Sequence, residues 1–193
     1  MLRGAELTAH LLSLPPRDRD AWVDELLGLG APPDDVPNLP RGCVPYLPCG
    51  VDEILAMVQS APLTSDDELV DLGSGLGRVA ILAHLLSGAR CHGVEIQEPL
   101  VRIAIDRQIA LNLAAVSFAH ANAADVALDG SIFFLYAPFN GEMLSRVLRR
   151  VEEVARRRSI IVCTVGLELR DMRWLRQRPT SSVSLTLYDS IRS

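Results

Sequence analysis

Apolar residues recur along this chain in two alternating rhythms. Between residues 68 and 165, short runs rich in Val, Ile, Leu and Phe are separated by stretches whose apolar positions return every three or four residues. The first rhythm is that of buried strands, the second that of helices lying against them. Strands are predicted at Leu69–Leu72, Arg90–Glu95, Val116–His120, Ser131–Tyr136 and Ser159–Val165, with a sixth at Val183–Tyr188, where apolar and polar residues alternate. Helices are expected in, or bordering, the first four gaps. Nearly continuous apolar strands interleaved with helices imply an α/β, Rossmann-like fold: a mostly parallel sheet with helices on both faces, closed by an antiparallel C-terminal strand.

Two shorter helical patterns, Ala5–Leu12 and Arg19–Leu29, precede the sheet, with Pro16 suited to opening the second. Prolines at positions 32, 33, 37, 40, 45 and 48 exclude regular structure from Ala31 to Gly50, so this stretch reads as an extended segment laid over the surface. The helical period resumes at Val51, Ile54, Leu55 and Val58. The chain thus divides into a helical and proline-rich extension, 1–50, serving as a lid or flank, and an α/β domain, 51–193. A total of 193 residues leaves room for one sizeable core and no more.

Composition removes several kinds of chemistry. All 19 basic residues are arginine, which excludes a lysine Schiff base or lysine general base. A formal charge of −5 argues against nucleic acid as a partner, and the arginines at 146, 149, 150 and 156–158 read as a solvated helix face and its end. Cys43, Cys49, Cys91 and Cys163 show no C-x-x-C spacing and no neighbouring histidine pair, so no metal is expected and the thiols should be reduced. Neither a secretory leader nor a membrane span is evident, which points to the cytoplasm. The abundance of Arg, Ala, Gly and Pro fits a high-GC bacterial genome.

The strongest chemical signal is Val70-Asp71-Leu72-Gly73-Ser74-Gly75-Leu76-Gly77-Arg78, a glycine-rich turn between a short apolar strand and an apolar helix. Such a turn lets backbone approach a ligand closely and aims helix amides into a crevice. Its G-x-G-x-G spacing differs from the G-x-G-x-x-G of dinucleotide sites, which argues against NAD(P). A second carboxylate, Glu95, ends the next strand eighteen residues after Gly77. Carboxylates at that position in open α/β sheets accept hydrogen bonds from ribose hydroxyls.

Asp-Leu-Gly-Ser-Gly-Leu-Gly-Arg followed by Gly-Val-Glu-Ile resembles motifs I and II of class I S-adenosylmethionine-dependent methyltransferases. The resemblance implies S-adenosylmethionine as cofactor and S-adenosylhomocysteine as product. It implies that Asp71, Gly73, Ser74, Gly75, Gly77 and Arg78 form the methionine-side turn, that Glu95 binds ribose and that Ile96 packs on adenine. Ala121-Asn122-Ala123 is similar to the family's G-D-A segment, so Asn122 and Ala123 join the cofactor set, with Asp125 an alternative to Asn122. Tyr136-Ala137-Pro138-Phe139 stands at motif IV, keeping its proline and aromatic residue but not its polar first residue. Tyr136, Pro138 and Phe139, with Tyr46, are therefore the candidate acceptor-side residues. The stretch Val44-Pro45-Tyr46-Leu47-Pro48 before motif I is similar to small non-SET protein-lysine methyltransferases. A protein lysine is the first choice of acceptor. A small molecule, or a non-catalytic scaffold on the same fold, stays open, as does the oligomeric state.

Overall fold

The computed structural model describes residues 1–170, 172–180 and 182–191. Its seven strands are β1 (Glu68–Leu72), β2 (Arg90–Glu95), β3 (Val116–His120), β4 (Ile132–Tyr136), β5 (Ile161–Val165), β6 (Leu175–Arg178) and β7 (Leu185–Ser190). They form one sheet in the order β3-β2-β1-β4-β5-β7-β6. The first five are parallel, and β7 runs antiparallel to both β5 and β6. The fold is the expected one, with one strand more than predicted.

Six helices surround it: α1 (Gly4–Ser13), α2 (Pro16–Leu27), α3 (Val51–Ser60), α4 (Arg78–Ser87), α5 (Glu98–Ala110) and α6 (Gly141–Ala155). Strand residues alternate between faces, so Leu69, Phe134 and Cys163 pack with α1, α2, α3 and α4, whereas Val70, Phe133 and Val162 pack with α6. Helix α5 lies against β2 and β3. The extension belongs to the first of these cores, because Leu7, Leu11, Val23 and Leu27 are all buried in it. Pro16 starts α2, and Gly28, left-handed at φ 66°, ends it.

Two departures have local causes. The third gap, 121–131, holds only a turn and extended chain, because Asn122 folds it at once: its Oδ1 accepts from the Ala124 N–H at 3.0 Å. The last strand begins at Leu185 rather than Val183, and Val183 lies fully exposed while Leu185 and Leu187 face the core.

This topology places the carboxyl ends of β1 and β4 side by side at the reversal of strand order, where open α/β sheets form a crevice. The proline-rich segment crosses that crevice. Cys43 makes an antiparallel bridge to Phe139, the Val44 N–H donates to the Pro138 carbonyl at 3.0 Å, and the Asn140 N–H donates to Gly42 at 2.8 Å.

Candidate active site

The glycine turn leaves β1 by donating the Gly73 and Ser74 N–H groups to the Val94 carbonyl, at 2.8 and 3.2 Å, which ties it to the end of β2. Gly73 and Gly75 are both left-handed, at φ 84° and 52°, and both face side chains at close range. A Cβ on Gly73 would lie 2.5 Å from Pro138, and one on Gly75 would lie 2.0 Å from the Tyr46 ring. The glycines therefore admit Pro138 from the motif IV segment and Tyr46 from the proline-rich strap, and these two cover the turn.

Between strap and strand ends is a cavity. It is lined by Gly73 from the glycine turn, Val94–Gln97 from the end of β2, Ala121–Ala123 from the end of β3, and Tyr136–Phe139 from the end of β4. The strap adds Leu39 and Cys43–Leu47, and the end of β5 adds Val165 and Gly166. Of the residues picked out in the sequence, Tyr46, Gly73, Glu95, Ile96, Asn122, Ala123, Tyr136, Pro138 and Phe139 meet here. Asp71, Ser74, Gly75 and Gly77 stand behind this lining. Asp125 is turned away, exposed and paired with Arg146, while the Asn122 amide donates to it at 2.8 Å.

Arg78 goes elsewhere. It opens α4 but points into the extension, where its guanidinium pairs with Asp20 at 2.9 Å and with Asp24, and donates to the Cys49 carbonyl at 2.9 Å. Its work is to fasten α2 and the strap's end to the glycine-turn helix.

The Glu95 carboxylate is buried, and its oxygens are unequally occupied. Oε1 accepts from the Ile96 and Gln97 N–H groups at 2.8 Å each. Oε2 accepts only from Gly75, at 2.9 Å, which leaves it a free lone pair for a ligand hydroxyl. Two further buried polar atoms, Asp71 Oδ2 and Ser74 Oγ, have no hydrogen-bond partner. Burial and the neighbouring Glu95 charge push the Asp71 carboxyl up to about 8. Burial likewise pushes the Tyr46 hydroxyl up to about 12 and raises that of Tyr136. An apolar slot flanked by one carboxylate with an open acceptor position, and backed by partnerless polar atoms, fits a nucleoside carrying a polar tail.

Histidine supplies no base to the cavity. His120 bonds the Ile96 carbonyl at 3.0 Å, His92 pairs with Ser117, His84 with the Ala89 carbonyl, and His10 lies tilted against the Trp22 ring. All four cysteines are free, and no cluster able to hold a metal occurs among the described residues. Nor is any helix among them long and apolar enough to cross a membrane.

Sequence reasoning missed Leu39, Gln97, Val165 and Gly166 of the lining, and it treated Ala137 only as a departure from motif. Ala137 sits at φ 41°, an uncommon conformation for alanine that turns the chain so that Pro138 lies on Gly73.

Comparison with known proteins agrees with this geometry. The family model for the histone methylation protein DOT1 matches residues 49–133, the stretch from the end of the strap through β3 into β4. No curated protein matches the sequence. An RNA methyltransferase from Salinibacter ruber, solved with S-adenosyl-L-homocysteine, superposes with a TM-score of 0.62 at 24% identity, covering 76% of this chain and 95% of its own. The yhhF protein of Escherichia coli gives 0.60 at 20% identity, over 80% and 91%. The magnesium protoporphyrin IX methyltransferase of Synechocystis, solved with S-adenosylmethionine, gives 0.55 at 18% identity, over 74% and 77%. These structures share the fold.

Proposed function

We infer that the chain is a class I S-adenosylmethionine-dependent methyltransferase, and its acceptor chemistry follows from that reading. When bound, S-adenosylmethionine supplies a methyl group on positively charged sulfur, already activated for in-line displacement. The protein's task is then to bind, orient and exclude water. Glu95 would hold the ribose through its open Oε2 position. Ile96, Asn122 and Ala123 would flank the adenine, and Asp71 and Ser74 would face the polar methionine end. The acceptor would enter past Tyr136, Pro138 and Phe139 beneath the strap.

That acceptor is a protein lysine. The observation that carries this reading is the character of the cavity wall. It is mostly aromatic and aliphatic, its polar side chains are Glu95, Gln97 and Asn122 besides the tyrosines, and no cationic side chain lines it. A phosphate-bearing acceptor would find no counter-charge there. An ammonium group on a four-methylene stem would find apolar walls for the stem and rings that favour a cation. With both tyrosine hydroxyls raised, neither is a base at neutral pH, so the amine sheds its proton to solvent before transfer. The family description of DOT1 as a histone methylation protein supports a protein acceptor as well.

The test is a transfer assay with methyl-labelled S-adenosylmethionine and separate protein, RNA and small-molecule fractions of a bacterial extract. Label recovered as methyllysine after hydrolysis of the protein fraction is the expected result. Label confined to RNA or small molecules would overturn the lysine assignment, and absence of turnover in every fraction would favour a binding module.

A further inference from the structure

The strap over the cavity is fastened by polar groups outside every motif. Asp35 is exposed, yet its Oδ1 accepts two hydrogen bonds, from the Tyr46 N–H at 2.9 Å and from the Gln97 side-chain amide at 2.7 Å. Gln97 follows the ribose-side turn at the end of β2 and is only 3% exposed. Its Oε1 in turn accepts the Val36 N–H at 2.9 Å. Both ends of one buried amide are thus spent on holding residues 35 and 36.

The network continues into the site. The Gln97 backbone N–H donates to Glu95 Oε1 at 2.8 Å, and Glu95 Oε2 accepts the Gly75 N–H at 2.9 Å. Glycine turn, Glu95, Gln97, Asp35 and Tyr46 therefore form one hydrogen-bonded series. The Tyr46 ring closes it by lying on Gly75, where an added Cβ would come within 2.0 Å. A loop of bonded groups runs from the cofactor carboxylate, through the strap, and back to the glycine turn.

We propose that Asp35 and Gln97 are positioning residues, a latch that seats Tyr46 and the strap over the cofactor cavity and slows the cofactor's escape. The proposal rests on reading that cavity as the S-adenosylmethionine site. Asp35 touches neither the cavity nor the glycine turn; it acts through the Tyr46 backbone. Its acceptor is charged, which makes both of its bonds stronger than neutral ones. A closed strap excludes water from the transferring methyl and commits the bound cofactor.

Asp35→Ala, Asp35→Asn and Gln97→Ala test the latch in the full chain, by titration with S-adenosylhomocysteine and by hydrogen exchange at the Tyr46 amide. Asp35→Ala should weaken binding roughly tenfold, mainly through faster dissociation, with loss of protection at Tyr46 and a small drop in thermal midpoint, because the Gln97 amide loses its acceptor. Asp35→Asn keeps an oxygen for both donors and should stay within roughly threefold of the parent. The double variant Asp35→Ala, Gln97→Ala should be no weaker than the worse single change, because both break one latch. Parent-like affinity and protection in Asp35→Ala, or equal losses in the Ala and Asn variants, would overturn the proposal. If the parent chain bound no S-adenosylhomocysteine, the cofactor reading would fail by itself. Tyr46 protection would still decide the latch, with unchanged exchange in Asp35→Ala refuting it.

Discussion

Three backbone N–H groups, from Gly75, Ile96 and Gln97, converge on the Glu95 carboxylate, so this residue shapes the turn that it would use to hold a ribose. Glu95→Ala removes a charged acceptor from the ligand and strands those buried donors. Affinity for S-adenosylhomocysteine should fall by about 2 kcal/mol, roughly thirtyfold, and the thermal midpoint should drop with it. Calorimetric titration and thermal unfolding separate the two effects, and unchanged affinity would remove Glu95 from the site. At this scale the sequence shows Glu95 and Gly73 because their spacing is short and their neighbours are strand and helix signals. It does not show Asp35, whose partner Gln97 lies 62 positions away and becomes a neighbour only once the strap has folded back. Arg78 marks a second limit: its place in the motif suggests the cofactor, whereas two carboxylates and a buried carbonyl on the extension draw it the other way.

Among the contacts that hold the helices of the extension are the apolar faces of α1 and α2 and the Arg78 clamp. Asp20 serves twice, accepting from Arg78 and from the Val51 N–H that opens α3, each at 2.9 Å, so one carboxylate joins α2, α3 and α4. Arg78→Met should cost about 2 kcal/mol in urea unfolding. The loss is limited because Asp20 and Asp24 are 53% and 35% exposed and can hydrate when released. Early proteolysis within residues 1–30 should accompany it. A variant as stable and as protease-resistant as the parent would mean that Val23 and Leu27 suffice to hold α2. The elements that were legible are those with a continuous apolar period, which includes β1 to β5 and the helices that cover them. Strand β6 was not, because Leu-Arg-Gln-Arg offers one buried residue and pairs only with β7 at the sheet edge. The supposed third crossover helix failed for the opposite reason: a side-chain turn at Asn122 outcompetes a helix over so short a stretch.

For the molecule as a whole, the buried carboxylate of Asp71 ties stability to pH in an unusual direction. Its ionisation in the folded chain is pushed up to about 8, first by burial and then by Glu95, while an unfolded aspartate titrates at about 3.9. Cys49, Cys91 and Tyr46, which sense its field, are themselves raised and stay neutral at pH 7. Between about pH 4 and pH 8 the folded chain keeps a proton that the unfolded chain has released, so stability declines as pH rises through that window. A paired carboxylate with a lowered value would do the reverse. A cationic ligand beside Asp71 favours its ionised form, so cofactor binding should release protons at neutral pH and stabilise the chain most on the alkaline side. Asp71→Asn is neutral at every pH. In its absence of charge, the variant's thermal midpoint without cofactor should stay flatter than the parent's from about pH 5.5 to 8.5, and calorimetry in buffers of different ionisation enthalpy should find its proton release abolished. Parallel midpoint curves and equal proton release would show that Asp71 is ionised in the folded chain throughout that range.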